Sequence, residues 1–178
     1  LDTHIHADHI TAASYIQQQL GGKIGIGAHI KDVLAYWVPI FNTKADTALD
    51  GSQFDVLLRE GETIPLGSLS INVLHTPGHT PACCCYWVED AAFVGDTIFM
   101  PDVGTARTDF PGGSAAAMFD SVRKILSLPE ATRLFMCHDY PPAGRDVACV
   151  TTVGEQKKHN VMVHDGILKE DYVAMRNK

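Results

Sequence analysis

The stretch Thr3-His4-Ile5-His6-Ala7-Asp8-His9 packs three imidazoles and a carboxylate into the first few positions of the chain. Neutral imidazole and carboxylate are the donors that hold borderline divalent metals such as zinc, iron and manganese. Crowding them together has no packing benefit, because histidine is only an intermediate core residue and an unpaired buried aspartate is expensive. Further donors recur downstream: His79 in His75-Thr76-Pro77-Gly78-His79-Thr80-Pro81, Asp96 in Phe93-Val94-Gly95-Asp96-Thr97, and His138 in Phe135-Met136-Cys137-His138-Asp139-Tyr140. Each follows a short apolar run that reads as a strand, at the point where a loop should begin. Loops at strand ends, carried by a rigid sheet, are where folds commonly build such sites.

The elements that must position these donors follow from periodicity and punctuation. Helices are predicted over 8–20, stopped by Gly21-Gly22; over 30–41, with a break at Pro39; over 114–128, with Ser114 as cap and Pro129 beyond the end; over 152–159; and over 168–177. Strands are predicted over 23–27, 54–58, 62–66, 68–74, 82–88, 91–94 and 134–137. Arg59-Glu60-Gly61 reads as a hairpin or tight turn, and the Gly- and Pro-rich segment 100–113 as a long loop. Helices between strands that end in donor loops give a mixed α/β sandwich, two sheets covered by helices, in one domain over 1–178.

Composition narrows the function classes. The 178 residues are 46% hydrophobic and 20% charged, which suits one globular α/β domain with a real core. The net charge of −7 without a basic stripe argues against nucleic-acid binding. The apolar runs are too short to span a membrane. Five cysteines, three of them adjacent at Cys83-Cys84-Cys85, do not form a disulfide framework, and a reducing cytoplasm is expected. The triplet lies in an apolar strand and reads as buried and structural. Cys137 reads either as a strand residue of the core or as a neighbour that tunes the adjoining donor.

The donor series resembles the metallo-β-lactamase superfamily: the HxHxDH run from His4 to His9, then His79, Asp96 and His138, over residues 1 to about 145. The resemblance implies an αββα sandwich with two adjoining metal positions. His4, His6 and His79 would face the first, Asp8, His9 and His138 the second, and Asp96 would bridge them. In that family several strands precede the HxHxDH loop, whereas only Leu1-Asp2-Thr3 precede His4 here. The chain is therefore expected to be a fragment, cut short at its N-terminus and also at its C-terminus. Its terminal segment is expected to fray, binding metal poorly and favouring aggregation.

Two branches of the family fit. Glyoxalase II enzymes hydrolyse a glutathione thioester with two metals, and persulfide dioxygenases use one iron(II) and O₂ to oxidise glutathione persulfide to sulfite. The segment Arg107-Thr108-Asp109-Phe110 and the run Cys137-His138-Asp139-Tyr140 resemble the dioxygenases. Gly144-Arg145-Asp146 and Thr151-Thr152-Val153-Gly154-Glu155-Gln156 resemble their bacterial members, some of which carry a fused sulfurtransferase domain. The resemblance implies one Fe(II) per chain held by His4, His79 and Asp96, with His6, Asp8, His9 and His138 orienting ligands and water. The hydrolase alternative implies two Zn(II), with Asp8, His9 and His138 as ligands of the second. Asp8, Tyr140 and Arg107 are the candidate catalytic residues: Tyr140 as a contact for glutathione, Arg107 chiefly through a buried pair with Asp109 that shapes the long loop. The implied partners are glutathione persulfide and O₂, with a homodimer and a fused or separate sulfurtransferase as the assemblies to test for. His75 is expected either to support a metal ligand or to serve at a strand end, and His29, His159 and His164 to lie on the surface.

Overall fold

A computed structural model describes residues 1–177. The elements run α1 (Ala13–Leu20), β1 (Gly25–Gly27), α2 (Ile30–Phe41), β2 (Val56–Leu58), β3 (Thr63–Leu66), β4 (Leu69–His75), β5 (Cys84–Val88), β6 (Ala91–Phe93), α3 (Ala115–Leu126), β7 (Arg133–Phe135), β8 (Val150–Thr152), α4 (Val153–His159) and α5 (Lys169–Arg176). β1 and β2 form a parallel two-stranded sheet, and β3 to β8 form a six-stranded sheet in chain order. Only β6 and β7 pair in parallel within the larger sheet, because α3 connects them.

Alternation along the strands builds the layers. Cys84 and Tyr86 of β5 pack with Val73 of β4 and Leu58 of β2, which joins the two sheets. Cys85, between them, faces the other way with Ala92, Leu134, Met118, Val122, Ile125 and Tyr172, so α3 and α5 cover the far face. α2 covers the small sheet, placing Ile30, Val33, Leu34 and Val38 around Ile26 and Ala82. The order helix, sheet, sheet, helix is the sandwich expected from the sequence. The cysteine triplet is buried in it as free thiols, and burial pushes Cys83 and Cys84 up to about 12.

Several boundaries differ from the sequence reading. α1 begins at Ala13 rather than at residue 8, with the Ala13 amide bonded to Thr11 Oγ1 at 3.1 Å, and none of its residues is buried. α2 continues through Pro39 to Phe41. Proline in a last turn removes a single amide bond, and Asn42 in the left-handed region closes the end. β2 and β3 do not form a hairpin: they belong to different sheets, and Arg59-Glu60-Gly61 is a tight turn that passes between them. β8 was not anticipated from the sequence; its three residues are too few to show a period.

The first residues are tied down on both sides. Asp2 N–H donates to Gly25 O at 2.9 Å, Cys84 N–H donates to Thr3 O at 2.9 Å, and Tyr86 O–H donates to Asp2 O at 2.7 Å. These bonds to β1 and β5 oppose the fraying expected at His4.

Candidate metal centre

Each donor loop has a local device that fixes it. His79 follows Gly78, whose φ is +145° and whose missing Cβ lets the loop pass the α3 backbone; a Cβ there would lie 2.5 Å from Met118 Cα. Gly78 O also accepts the Ser114 amide at 2.8 Å, just where Ser114 Oγ caps α3 by accepting the Ala117 amide at 3.2 Å. Asp96 follows Gly95, with φ of +54°, where a Cβ would meet Thr3 Cβ at 2.8 Å. The glycine allows the His4 segment to lie against the Asp96 loop. Thus the His79 loop meets α3, and the Asp96 loop meets the His4 segment, at positions that tolerate no side chain.

The sequence-predicted donors come together. His4, His6 and His79 offer ligand atoms within 4.8 Å of one another; so do His4, His9 and Asp96, and so do Asp8, His9 and His138. His6 Nδ1 lies 2.8 Å from His79 Nε2, and His9 Nε2 lies 3.0 Å from His138 Nε2. Asp96 stands between the groups: Oδ2 is 3.5 Å from His79 Nε2, and Oδ1 is 3.3 Å from His9 Nε2 and 3.6 Å from His138 Nε2. Asp8 Oδ2 reaches His138 Nε2 at 3.4 Å.

The chemistry of this cluster fits a cation. His4 Nε2, His6 Nε2 and Asp96 Oδ1 are buried and have no hydrogen-bond partner. Leaving such atoms unsatisfied costs about 1–3 kcal/mol each, which a bound metal removes. Burial first, and then the neighbouring His9 and His79, hold His4 down to about 2. Burial and then His79 hold His6 down to about 4. Burial also lowers His79. These rings are neutral at pH 7, so their lone pairs are available for a metal.

The outer contacts orient the rings. Thr3 Oγ1 lies 3.2 Å from His4 Nδ1. His79 Nδ1 lies 2.8 Å from Arg107 O, which makes Nδ1 the donor and leaves Nε2 to face the cluster. Arg107 therefore acts on the site through its main-chain carbonyl, a role that residue type does not reveal. Its guanidinium forms the expected pair with Asp109, two bonds of 2.6 Å each, and stacks 4.4 Å over the Phe110 ring. The pair is not buried as expected, since both side chains are about 60% exposed. Phe110 covers the cluster, with its ring centroid 4.7 Å from that of His6.

A cavity of about 440 Å³ opens onto His6, Asp8, His79 and Asp96 and is bordered by Tyr140 and Arg176. Tyr140 is largely exposed, its ring 5.9 Å from His138. Asp139, between these two, is buried and was not singled out from the sequence. Arg145 donates to it through Nη1 at 2.7 Å and Nη2 at 2.6 Å, and also to Asp102. Cys137 is exposed rather than a core strand residue. His75 ends β4, accepted by Pro81 O at 2.7 Å and stacked on His29 at 4.6 Å, apart from the cluster. His29 and His159 are exposed and His164 half-buried.

Fold and donor set together define a class, and comparison with known proteins agrees: residues 3–138 match the model of the metallo-β-lactamase superfamily, to which the chain belongs. It is 52% identical over 99% of its length to a probable metallo-hydrolase of Burkholderia pseudomallei, and 46% identical over its whole length to Glyoxylase B2 of Dictyostelium discoideum. The chain spans 63% and 62% of the lengths of these two relatives. Mouse mitochondrial persulfide dioxygenase ETHE1 is 31% identical over 90% of the chain and 54% of its own length. The crystal structure of ETHE1 from Myxococcus xanthus superposes with a TM-score of 0.76 at 31% identity, covering 99% of this chain and 67% of that one. The chain is thus similar both to proteins named as hydrolases and to persulfide dioxygenases. Among the described residues, no helix is long and apolar enough to cross a membrane.

Proposed function

We propose that the protein is an iron-dependent persulfide dioxygenase: RSSH + O₂ + H₂O gives RSH + sulfite + 2 H⁺, with glutathione as the thiol. The observation that carries this reading is the Arg107–Phe110 segment, which resembles the dioxygenase branch in sequence and packs against the cluster. Arg107 O fixes His79, and Phe110 covers His6. The likeness to ETHE1 over nearly the whole chain supports it.

His4, His79 and Asp96 would hold iron(II), since His4 shares one donor group with His79 and another with Asp96. Bound iron(II) supplies the redox chemistry that joins O₂ to the terminal sulfur of the substrate. The chain's own residues do the rest. Arg107 O keeps the proton of His79 on Nδ1. His6, His9 and His138 position donors and water around Asp96. Phe110 packs on the His6 ring and holds it in place. Tyr140 and Arg176, at the cavity rim, offer a hydroxyl and a guanidinium to the polar groups of glutathione.

A second reading has its own observation. Asp8, His9 and His138 are close enough to hold another cation, as a dinuclear zinc thioester hydrolase would require. Metal content after purification without oxygen, with O₂ uptake on glutathione persulfide, separates the two. About one iron per chain with rapid O₂ uptake is expected. About two zinc ions per chain, thioester hydrolysis and no O₂ uptake overturn the dioxygenase reading.

A further inference from the structure

A second cavity, of about 410 Å³, adjoins the polar one and shares His6 with it. Leu34, Trp37, Val38 and Phe41 of α2 line it, together with Ile5 and Phe110. His6, Asp8 and Phe110 border both cavities, so the two meet at the metal cluster. Their linings contrast. The polar cavity carries Arg107, Arg176 and Tyr140; the groove carries no basic side chain, and its only carboxylate, Asp8, sits at the end shared with the cluster. Its volume is in the range of small-molecule sites, about 300–1,000 Å³. α2 leaves Phe41 66% exposed and Ile5 is 36% exposed, so the groove is open to a ligand from solvent. Trp37 stacks on Phe41, with ring centroids 5.4 Å apart and planes 21° from parallel, which gives the wall a flat aromatic surface.

We infer that this groove receives the uncharged, apolar arm of a small-molecule persulfide whose terminal sulfur lies at the metal cluster, a substrate class beyond glutathione persulfide. The occupant follows from continuity: a ligand anchored by sulfur beside His6 and Asp8 has one route lined by apolar side chains and another lined by guanidinium groups. Glutathione, charged and peptidic, suits the second; an alkyl or aryl arm suits the first. The inference rests on the dioxygenase reading only for the reaction, since a metal-bound thiolate would place its arm in the same groove.

The experiment uses ethyl, butyl and hexyl persulfide as substrates of the metal-loaded protein, with ethane-, butane- and hexanethiol as binding probes followed by isothermal titration calorimetry. Burial of each added methylene should raise kcat/KM and tighten Kd by about two- to fourfold. Trp37→Ala should flatten both series to within about twofold across the whole range. Phe41→Ser, at an exposed position that folding tolerates, should flatten them in the same direction. O₂ uptake on glutathione persulfide with no dependence on alkyl length in either series overturns the groove assignment and leaves the dioxygenase reading intact. Thiol binding that tightens with length and is flattened by both variants, with no O₂ uptake on any persulfide, supports the groove and defeats the dioxygenase reading.

Discussion

Replacing Arg145 by methionine tests how the His138 loop is held. Arg145 forks two carboxylates: Asp139, at 2.6 and 2.7 Å, and Asp102, through Nε and through Nη2 at 3.1 Å. The Asp139 side chain is only 3% exposed, and outside this fork it has main-chain donors alone, chiefly the Ala148 amide at 2.7 Å. Arg145 holds the Asp139 carboxyl down to about 2. Arg145→Met would leave a buried carboxylate with main-chain donors only and no countercharge. Breaking a buried pair from one side costs about 3–5 kcal/mol. Arg145 and Asp102 are 27% and 37% exposed, so solvent recovers part of that, and about 2–4 kcal/mol is expected here. For a chain of this length that lowers the melting temperature by about 5–12 °C.

The functional consequence is local. Asp139 lies between His138 and Tyr140, and the fork ties their loop to the long loop that carries Asp102. Loosening it should weaken the metal equivalent held by Asp8, His9 and His138 by about tenfold to a hundredfold, while the His4, His6 and His79 group is spared. Zinc titration against a competing chelator and thermal melts of the same samples read both effects. Arg145→Lys should recover less than half of the lost stability, because one ammonium cannot fork two carboxylates. If Arg145→Met melts within about 2 °C of the parent and binds zinc unchanged, the fork is not what holds this loop.

Two further outcomes are expected. In the metal-free protein, His4 refuses in the folded state a proton that the unfolded chain accepts near pH 6.5, its folded value being about 2. Stability is therefore full above pH 6.5 and falls as pH drops below it, by up to about 1.4 kcal/mol per unit for His4 alone; equal urea midpoints at pH 7.5 and pH 5.5 (roughly one unit either side of the unfolded value) would refute this. Gly78→Ala forces a Cβ against the Met118 backbone at 2.5 Å in a conformation with φ of +145°. A loss of about 3 kcal/mol or more is expected, with reduced metal content because His79 is the next residue, and a variant as stable as the parent would show that the α3 contact is not limiting.

The donors were legible because their types are rare in cores and their positions coincide with strand ends. His4, His6, Asp8, His9, His79, Asp96 and His138 could be read from type and spacing alone, and the structure groups them. What was illegible depends on chain pairings that spacing does not carry. Asp102 and Arg145 are 43 residues apart, and nothing local marks either as a partner. Arg107 drew attention for its charge, yet its carbonyl is what reaches His79, and every residue has a carbonyl. The three residues between β2 and β3 read as a hairpin or a tight turn, and local sequence does not choose between them; that one strand belongs to the small sheet and the other to the large one is a tertiary fact.

The same reasoning explains why the donor set does not by itself choose between one metal and two. All the donors are supplied by loops, and glycine contacts fix those of His79 and Asp96 whichever metal count applies. What can differ is how firmly each half is held. Around His79 the restraints are short and buried: the Gly78 contact, the Arg107 carbonyl and the Phe110 ring. Around Asp8 and His138 they are more open, with the Asp8 side chain 62% exposed and His138 25% exposed. A site preorganised on one side and solvated on the other favours a tightly bound first cation and a second whose affinity depends on the Asp139–Arg145 clamp. The number of metals retained would then follow from that clamp as well as from the ligands.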